Sequence, residues 1–153
     1  MRLSGRSAFI TGAAKGIGLS VAKAFSKEGA TVALADMSGD EAIRQASEIE
    51  AETGNKALGI ECDVADKQSV ENAIEETVEA FGTIDTLACM AATMTARHDV
   101  VDLSEEEWDR TLRVNVTGSF FACKYVIPLM RKFLVIEIFP MLSIVVKDSI
   151  ETK

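Results

Sequence analysis

Short apolar runs alternate with amphipathic segments along most of the chain. Ser7 to Thr11, Thr31 to Ala35, Ala57 to Cys62 and Ile84 to Cys89 are apolar stretches of strand length. Between them apolar residues recur at helical spacing: Ile17, Val21, Ala24 and Phe25, then Ala42, Ile43, Ala46 and Ile49, then Val70, Ala73, Ile74, Val78 and Phe81. Gly29, Gly54 and Gly82 follow these segments as stops, and Asp66 precedes the third as a cap. Strands that alternate with helices predict repeated βα units around a parallel sheet, an α/β fold with about four to five strands.

After the fourth strand comes a loop of roughly a dozen residues, long enough to border a site. Ser104 and Glu107 then form an S-x-x-E capping box. The helix it opens, predicted over 105–131, carries Trp108, Leu112, Val116, Phe120, Cys123, Ile127 and Met130, with Gly118 and Pro128 as points of bending. Beyond Lys132 the composition changes. Phe133 to Val146 is almost wholly apolar, too short to span a bilayer, and interrupted by Glu137 and Pro140. The pattern divides the chain into residues 1–132 and an aberrant tail, 133–153, that is a substitute fifth strand.

The 153 residues suffice for one domain with a core. A formal charge of −8 offers no basic patch for nucleic acid and no polybasic segment for a membrane surface. Cys62, Cys89 and Cys123 are odd in number and widely spaced, so they read as reduced thiols, and no apolar leader opens the chain. The expected location is cytoplasmic. A single histidine, His98, argues against a His-based metal or triad site and reads as a surface residue.

Candidate chemistry concentrates between the first strand and first helix, at Thr11-Gly12-Ala13-Ala14-Lys15-Gly16-Ile17-Gly18. A pyrophosphate is held by backbone N–H groups at a helix N-terminus, where the dipole is positive. Gly12 permits the tight turn, Gly16 the close approach of a ligand, and Gly18 the packing of helix on strand. The spacing is G-x-x-x-G-x-G, neither a Walker A loop nor the G-x-G-x-x-G fingerprint. Asp36 ends the second strand 18 positions after Gly18, where a carboxylate accepts from a ribose hydroxyl and repels a 2′-phosphate.

With Thr-Gly-x-x-x-Gly-x-Gly, Asp36, Cys62-Asp63-Val64 and Asn115-Val-Thr-Gly118, residues 1 to about 132 resemble the short-chain dehydrogenase/reductase family. The nearest flavour is the bacterial glucose 1-dehydrogenase and 3-oxoacyl-carrier-protein reductase type. The resemblance implies a Rossmann-like, doubly wound sheet, incomplete here, and hydride transfer between alcohols and ketones. Its cofactor is NAD or NADP; Asp36 favours NAD, and Lys15 argues weakly for NADP. Thr11, Gly12, Lys15, Gly16, Ile17, Gly18 and Asp36 then become cofactor-binding candidates. By the same resemblance Asp63 and Val64 lie against the adenine. Where the family has Asn-Asn-Ala-Gly, this chain has Cys89-Met90-Ala91-Ala92, which makes Met90 and Ala91 cofactor-facing. The long helix is a candidate surface for homo-oligomers, with Phe121 as an interface residue.

The family's catalytic set is Asn, Ser and Tyr-x-x-x-Lys. Asn115 matches the first. Tyr125 is the sole tyrosine and is followed four positions on by Leu129, and Ser143 is a poor match that is not carried over. The chain is therefore expected to be truncated before the catalytic Ser and Tyr-x-x-x-Lys, with little activity of its own. The alternatives are a catalytically inactive dinucleotide-binding or interaction module and, less favoured by the glycine spacing, an S-adenosylmethionine methyltransferase.

Overall fold

The computed structural model describes residues 1–94, 100–132 and 137–140. Five strands, β1 (Ser7–Thr11), β2 (Thr31–Asp36), β3 (Ala57–Glu61), β4 (Thr86–Cys89) and β5 (Glu137–Pro140), form one sheet in the order β3-β2-β1-β4-β5. Every pairing is parallel, with Thr11 beside Ala35 on one side and Cys89 on the other. The tail thus adds a strand at 137–140, in register with Thr86–Cys89.

Helices α1 (Gly16–Lys27), α2 (Gly39–Thr53) and α3 (Lys67–Phe81) follow β1, β2 and β3. A 3-10 turn at Val100–Asp102 leads into α4 (Glu105–Leu112), and α5 spans Gly118–Lys132. Strand alternation sorts the core into two faces. Ala8, Ile10, Val32, Leu34 and Ala88 pack with Ala22 of α1 and Ala42, Ala46 and Ile49 of α2. Phe9, Ala33, Ala35, Leu87 and Cys89 pack with Val70 and Ile74 of α3 and Ala122, Val126 and Met130 of α5. Helices on both faces of a parallel sheet make the fold doubly wound and Rossmann-like. Each fully buried Phe9, Ile10, Leu34 or Leu87 side chain contributes about 2 kcal/mol of apolar burial.

Glycines end the helices as their sequence suggests. Gly54 and Gly82 cap α2 and α3 in the left-handed conformation, at φ 73° and 83°. Asp66 caps α3 by accepting from Gln68 N–H at 3.0 Å. Ser104 and Glu107 close their capping box reciprocally.

Four expectations need correction. Cys62 lies beyond β3, and β4 begins at Thr86 rather than Ile84. The helix predicted over 105–131 is interrupted: a π-helical segment, Arg113–Thr117, separates α4 from α5. The irregularity sits just ahead of Gly118, while α5 continues through Pro128. Its physical setting is the side-chain anchoring of Arg113 and Asn115 described below, which periodicity does not register. Phe121, expected at an interface, is 9% exposed and faces the sheet, whereas Phe120 is 56% exposed.

Candidate functional site

The carboxyl ends of β1 and β4 adjoin where the strand order reverses, the place at which open α/β sheets form a ligand crevice. The glycine turn lies on one side of it. Gly12 has φ +65°, and a Cβ there would fall 2.6 Å from Ala91 Cα, so bare backbone is required for the two turns to meet. A Cβ on Gly18 would collide with the Gly12 carbonyl oxygen. Gly16 has φ +61°, and a Cβ placed there would meet nothing within 4 Å, so the space before it is open.

The start of α1 differs from those of α2, α3 and α4. Lys15 is its N-cap in extended backbone, no side chain caps the first turn, and that turn holds no acidic residue. By contrast, α2 has Asp40 and Glu41 in its first turn, α3 has the Asp66 cap, and α4 has both a cap and Glu105, Glu106 and Glu107. The amide groups of Gly16, Ile17 and Gly18 open α1 with no side-chain carboxylate or hydroxyl serving them, a polarity suited to an external anion.

Asp36 anchors this turn. Its Oδ2 accepts from Ala14 N–H at 3.1 Å and its Oδ1 from Ser38 N–H at 3.0 Å, while Gly12 N–H donates to the Ala35 carbonyl at 2.7 Å. Each carboxylate oxygen has a second lone pair, so a further donor can be accepted.

The opposite wall is held by residues remote in sequence. Thr11, 2% exposed, accepts through Oγ1 from Met90 N–H at 3.1 Å and Ala91 N–H at 3.2 Å. Thr93 is clasped by Asn115, whose Oδ1 accepts from Thr93 N–H at 2.8 Å and whose Nδ2 donates to Thr93 O at 2.9 Å. The Asn115 amide thus fixes the segment after β4. The Asp63-Val64 turn forms a third edge. Asp63 Oδ1 accepts from Ala65 N–H at 2.8 Å, and Arg113 Nε donates to Ala65 O at 2.8 Å. Val64 is 5% exposed and lies so close under Gly118 that a Cβ there would fall 2.9 Å from the Val64 Cβ.

The structure therefore brings Thr11, Gly12, Lys15, Gly16, Ile17, Gly18, Asp36, Met90 and Ala91 to one end of the sheet. Asp63, Val64 and Asn115 frame the same end. Sequence reasoning misses Thr93 and Arg113. The Asn115–Thr93 bond joins positions whose partnership no spacing rule encodes. His98 and Ser143 lie outside the described residues. Tyr125 is partly buried against the α3–α5 core face. Among the described residues there is no group of three side chains able to hold a metal, and no helix long and apolar enough to cross a membrane.

Comparison with known proteins gives the family. A family model described as enoyl-(acyl carrier protein) reductase matches residues 12–149, so the match continues past Lys132 into the tail. The chain belongs to the short-chain dehydrogenase/reductase family. It is 39% identical over 121 residues to a sorbitol dehydrogenase of Cereibacter sphaeroides, covering 79% of this chain and 45% of that one. A D-threitol dehydrogenase of Mycolicibacterium smegmatis is 37% identical over 125 residues, covering 82% and 47%. Glucose 1-dehydrogenase 2 of Bacillus subtilis is 32% identical over 130 residues, covering 85% and 50%. The chain spans about half the length of these relatives. These relatives are oxidoreductases, and the methyltransferase reading is set aside.

Proposed function

We propose that this chain forms the NAD-binding half of a short-chain oxidoreductase acting on an alcohol or a ketone. The observation that carries the reading is the uncapped start of α1, with Gly16 facing open space at the β1/β4 crevice. The donor set fits a dinucleotide. Gly16, Ile17 and Gly18 amides would hold the diphosphate, Asp36 a ribose hydroxyl, Asp63 and Val64 the adenine side, and Met90 and Ala91 the opposite wall. Lys15, exposed at the N-cap, would add charge near the phosphates. When bound, the nicotinamide donates or accepts the hydride. The chain's own residues bind and orient: Thr11 fixes Met90 and Ala91, and Asn115 fixes Thr93, so these two act as positioning residues.

NAD rather than NADP follows from charge. A 2′-phosphate beside the Asp36 carboxylate would be repelled. In Asp36→Asn, the NADP-to-NAD affinity ratio is expected to rise about tenfold, equivalent to about 1.4 kcal/mol. An unchanged ratio in the folded variant removes the basis for the preference.

Tyr125 is followed by Leu129, so the sequence carries no Tyr-x-x-x-Lys pair. A missing general acid costs roughly 10² to 10⁴-fold in rate. This chain is therefore expected to bind NAD yet turn over little. Thermal unfolding with and without NAD, beside NADH formation from glucose, sorbitol and threitol, separates the two statements. Stabilisation without turnover supports both. Rapid NADH formation contradicts the second, and an unmoved melting temperature contradicts the first. We further propose that two copies associate through α4 and α5, whose Trp108 and Phe120 are 52% and 56% exposed.

A further inference from the structure

β2 and β3 end together. Asp36 and Glu61 are the last register partners of the pair, and Cys62 N–H donates to the Asp36 carbonyl at 2.9 Å, which holds the two ends level. Directly paired residues in a sheet present their side chains to one face. Here that face is the one α2 covers: two residues earlier on β3, a Cβ on Gly59 would fall 2.3 Å from the backbone of Ile43. A Cβ on Gly39, the first residue of α2, would stand 2.7 Å from Glu61 Cβ and 3.1 Å from its Oε2. Bare backbone at Gly39 therefore admits the Glu61 side chain. Its carboxylate lies against the turn from Asp36 to Gly39, and the residue remains exposed.

We propose that Glu61 is a second specificity residue, which together with Asp36 excludes a dinucleotide carrying a 2′-phosphate; the inference rests on the cofactor reading given above. The two carboxylates reach one turn from different strands. Asp36 accepts from Ser38 N–H through Oδ1, so an amide that a phosphate would use at this turn is already satisfied. No cation offsets the charge. Residues 36–43 contain no Lys or Arg, and Arg44 is held by Glu41 and Glu48. Asp40 and Glu41 add their own charge to the first turn of α2.

A 2′-phosphate would bring about two negative charges to this corner, where NAD carries a neutral hydroxyl. Glu61 therefore acts on the NADP complex and leaves the NAD complex alone. A carboxylate at the start of a helix also steadies that helix through the dipole. That second role moves stability but not the choice of cofactor, which makes the two roles separable.

The test is calorimetric titration of the full chain with NAD and with NADP at low ionic strength. It compares wild type, Glu61→Gln, Asp36→Asn, the double variant, and Glu79→Gln, an equal charge change at an exposed position near the end of α3. Glu61→Gln should leave NAD affinity unchanged and raise NADP affinity about three- to fivefold. The double variant should exceed either single one, and about 0.5 M salt should shrink the gain. Glu79→Gln should leave the ratio where it is. A wild-type ratio in Glu61→Gln, even with a lower melting temperature, overturns the proposal, because Glu61 then serves only the start of α2. An equal shift in Glu79→Gln overturns it as well, since net charge alone would be the cause. A ratio that Asp36→Asn moves and Glu61→Gln does not contradicts this inference and leaves the cofactor reading standing. Binding of neither dinucleotide to folded wild type removes both.

Discussion

The two turns that meet at the crevice, after β1 and after β4, are built differently. The first is shaped from within, by Gly12 and Gly18, and its tethers reach only as far as the end of β2. The second, Met90 to Thr93, is shaped from outside, by the Thr11 hydroxyl and the Asn115 amide. Where glycine makes the turn, backbone approaches backbone and an open helix start remains. Where side chains make it, every amide they satisfy is closed to a ligand. On the function proposed above, the first turn binds and the second supports.

Substitutions at each turn sharpen that division. The largest effect is expected from Gly18→Val, whose Cβ would meet the Gly12 carbonyl oxygen. Relief requires moving α1 off β1, at a cost of about 3 kcal/mol, or a melting temperature lower by roughly 6 to 12 °C, with NAD binding lost. A variant as stable as wild type by calorimetric scanning would mean that α1 does not pack on β1 through this glycine. Next comes Asn115→Ala, which removes both bonds to Thr93 and should cost about 2 kcal/mol. Asn115→Asp keeps the acceptor for Thr93 N–H but faces Thr93 O with a carboxylate, so it should recover only part of that loss. Denaturant titration of the three proteins checks the order. Smaller still is Thr11→Val, which leaves two amides without their shared acceptor at about 1 to 2 kcal/mol. Thr11→Ser should restore most of it. If Val equals Ser in denaturant midpoint, the hydroxyl does not hold the β4 turn.

The same contrast explains what is legible in the sequence. Strand alternation, helix periodicity and glycine stops are local, so four strands, the first three helices and the capping box at Ser104 can be read directly. The glycine turn is legible too, because the spacing of its three glycines is a local pattern, even though the backbone that Gly12 must admit belongs to distant Ala91. The β4 side is not. Thr11 acts 79 and 80 residues from Met90 and Ala91, and Asn115 acts 22 residues from Thr93, distances set by tertiary folding alone. The π segment is hidden for a related reason: a single inserted residue leaves both flanking helices periodic. The fifth strand, Glu137–Pro140, shows in its apolar character, although the composition break suggests a foreign tail and the family match runs on to residue 149.

If the open start of α1 receives a dinucleotide diphosphate, Gly16 is where that contact is most exposed to trial. A Cβ there meets no protein atom within 4 Å, so Gly16→Ala should cost only the backbone strain of φ +61°, about 1 to 2 kcal/mol. That methyl would nevertheless stand in the path of the phosphates. Isothermal titration calorimetry with NAD should show binding to the wild-type chain and at least tenfold weaker binding to folded Gly16→Ala. Equal affinities, or no heat from the folded wild type with millimolar NAD or NADP, would contradict the account.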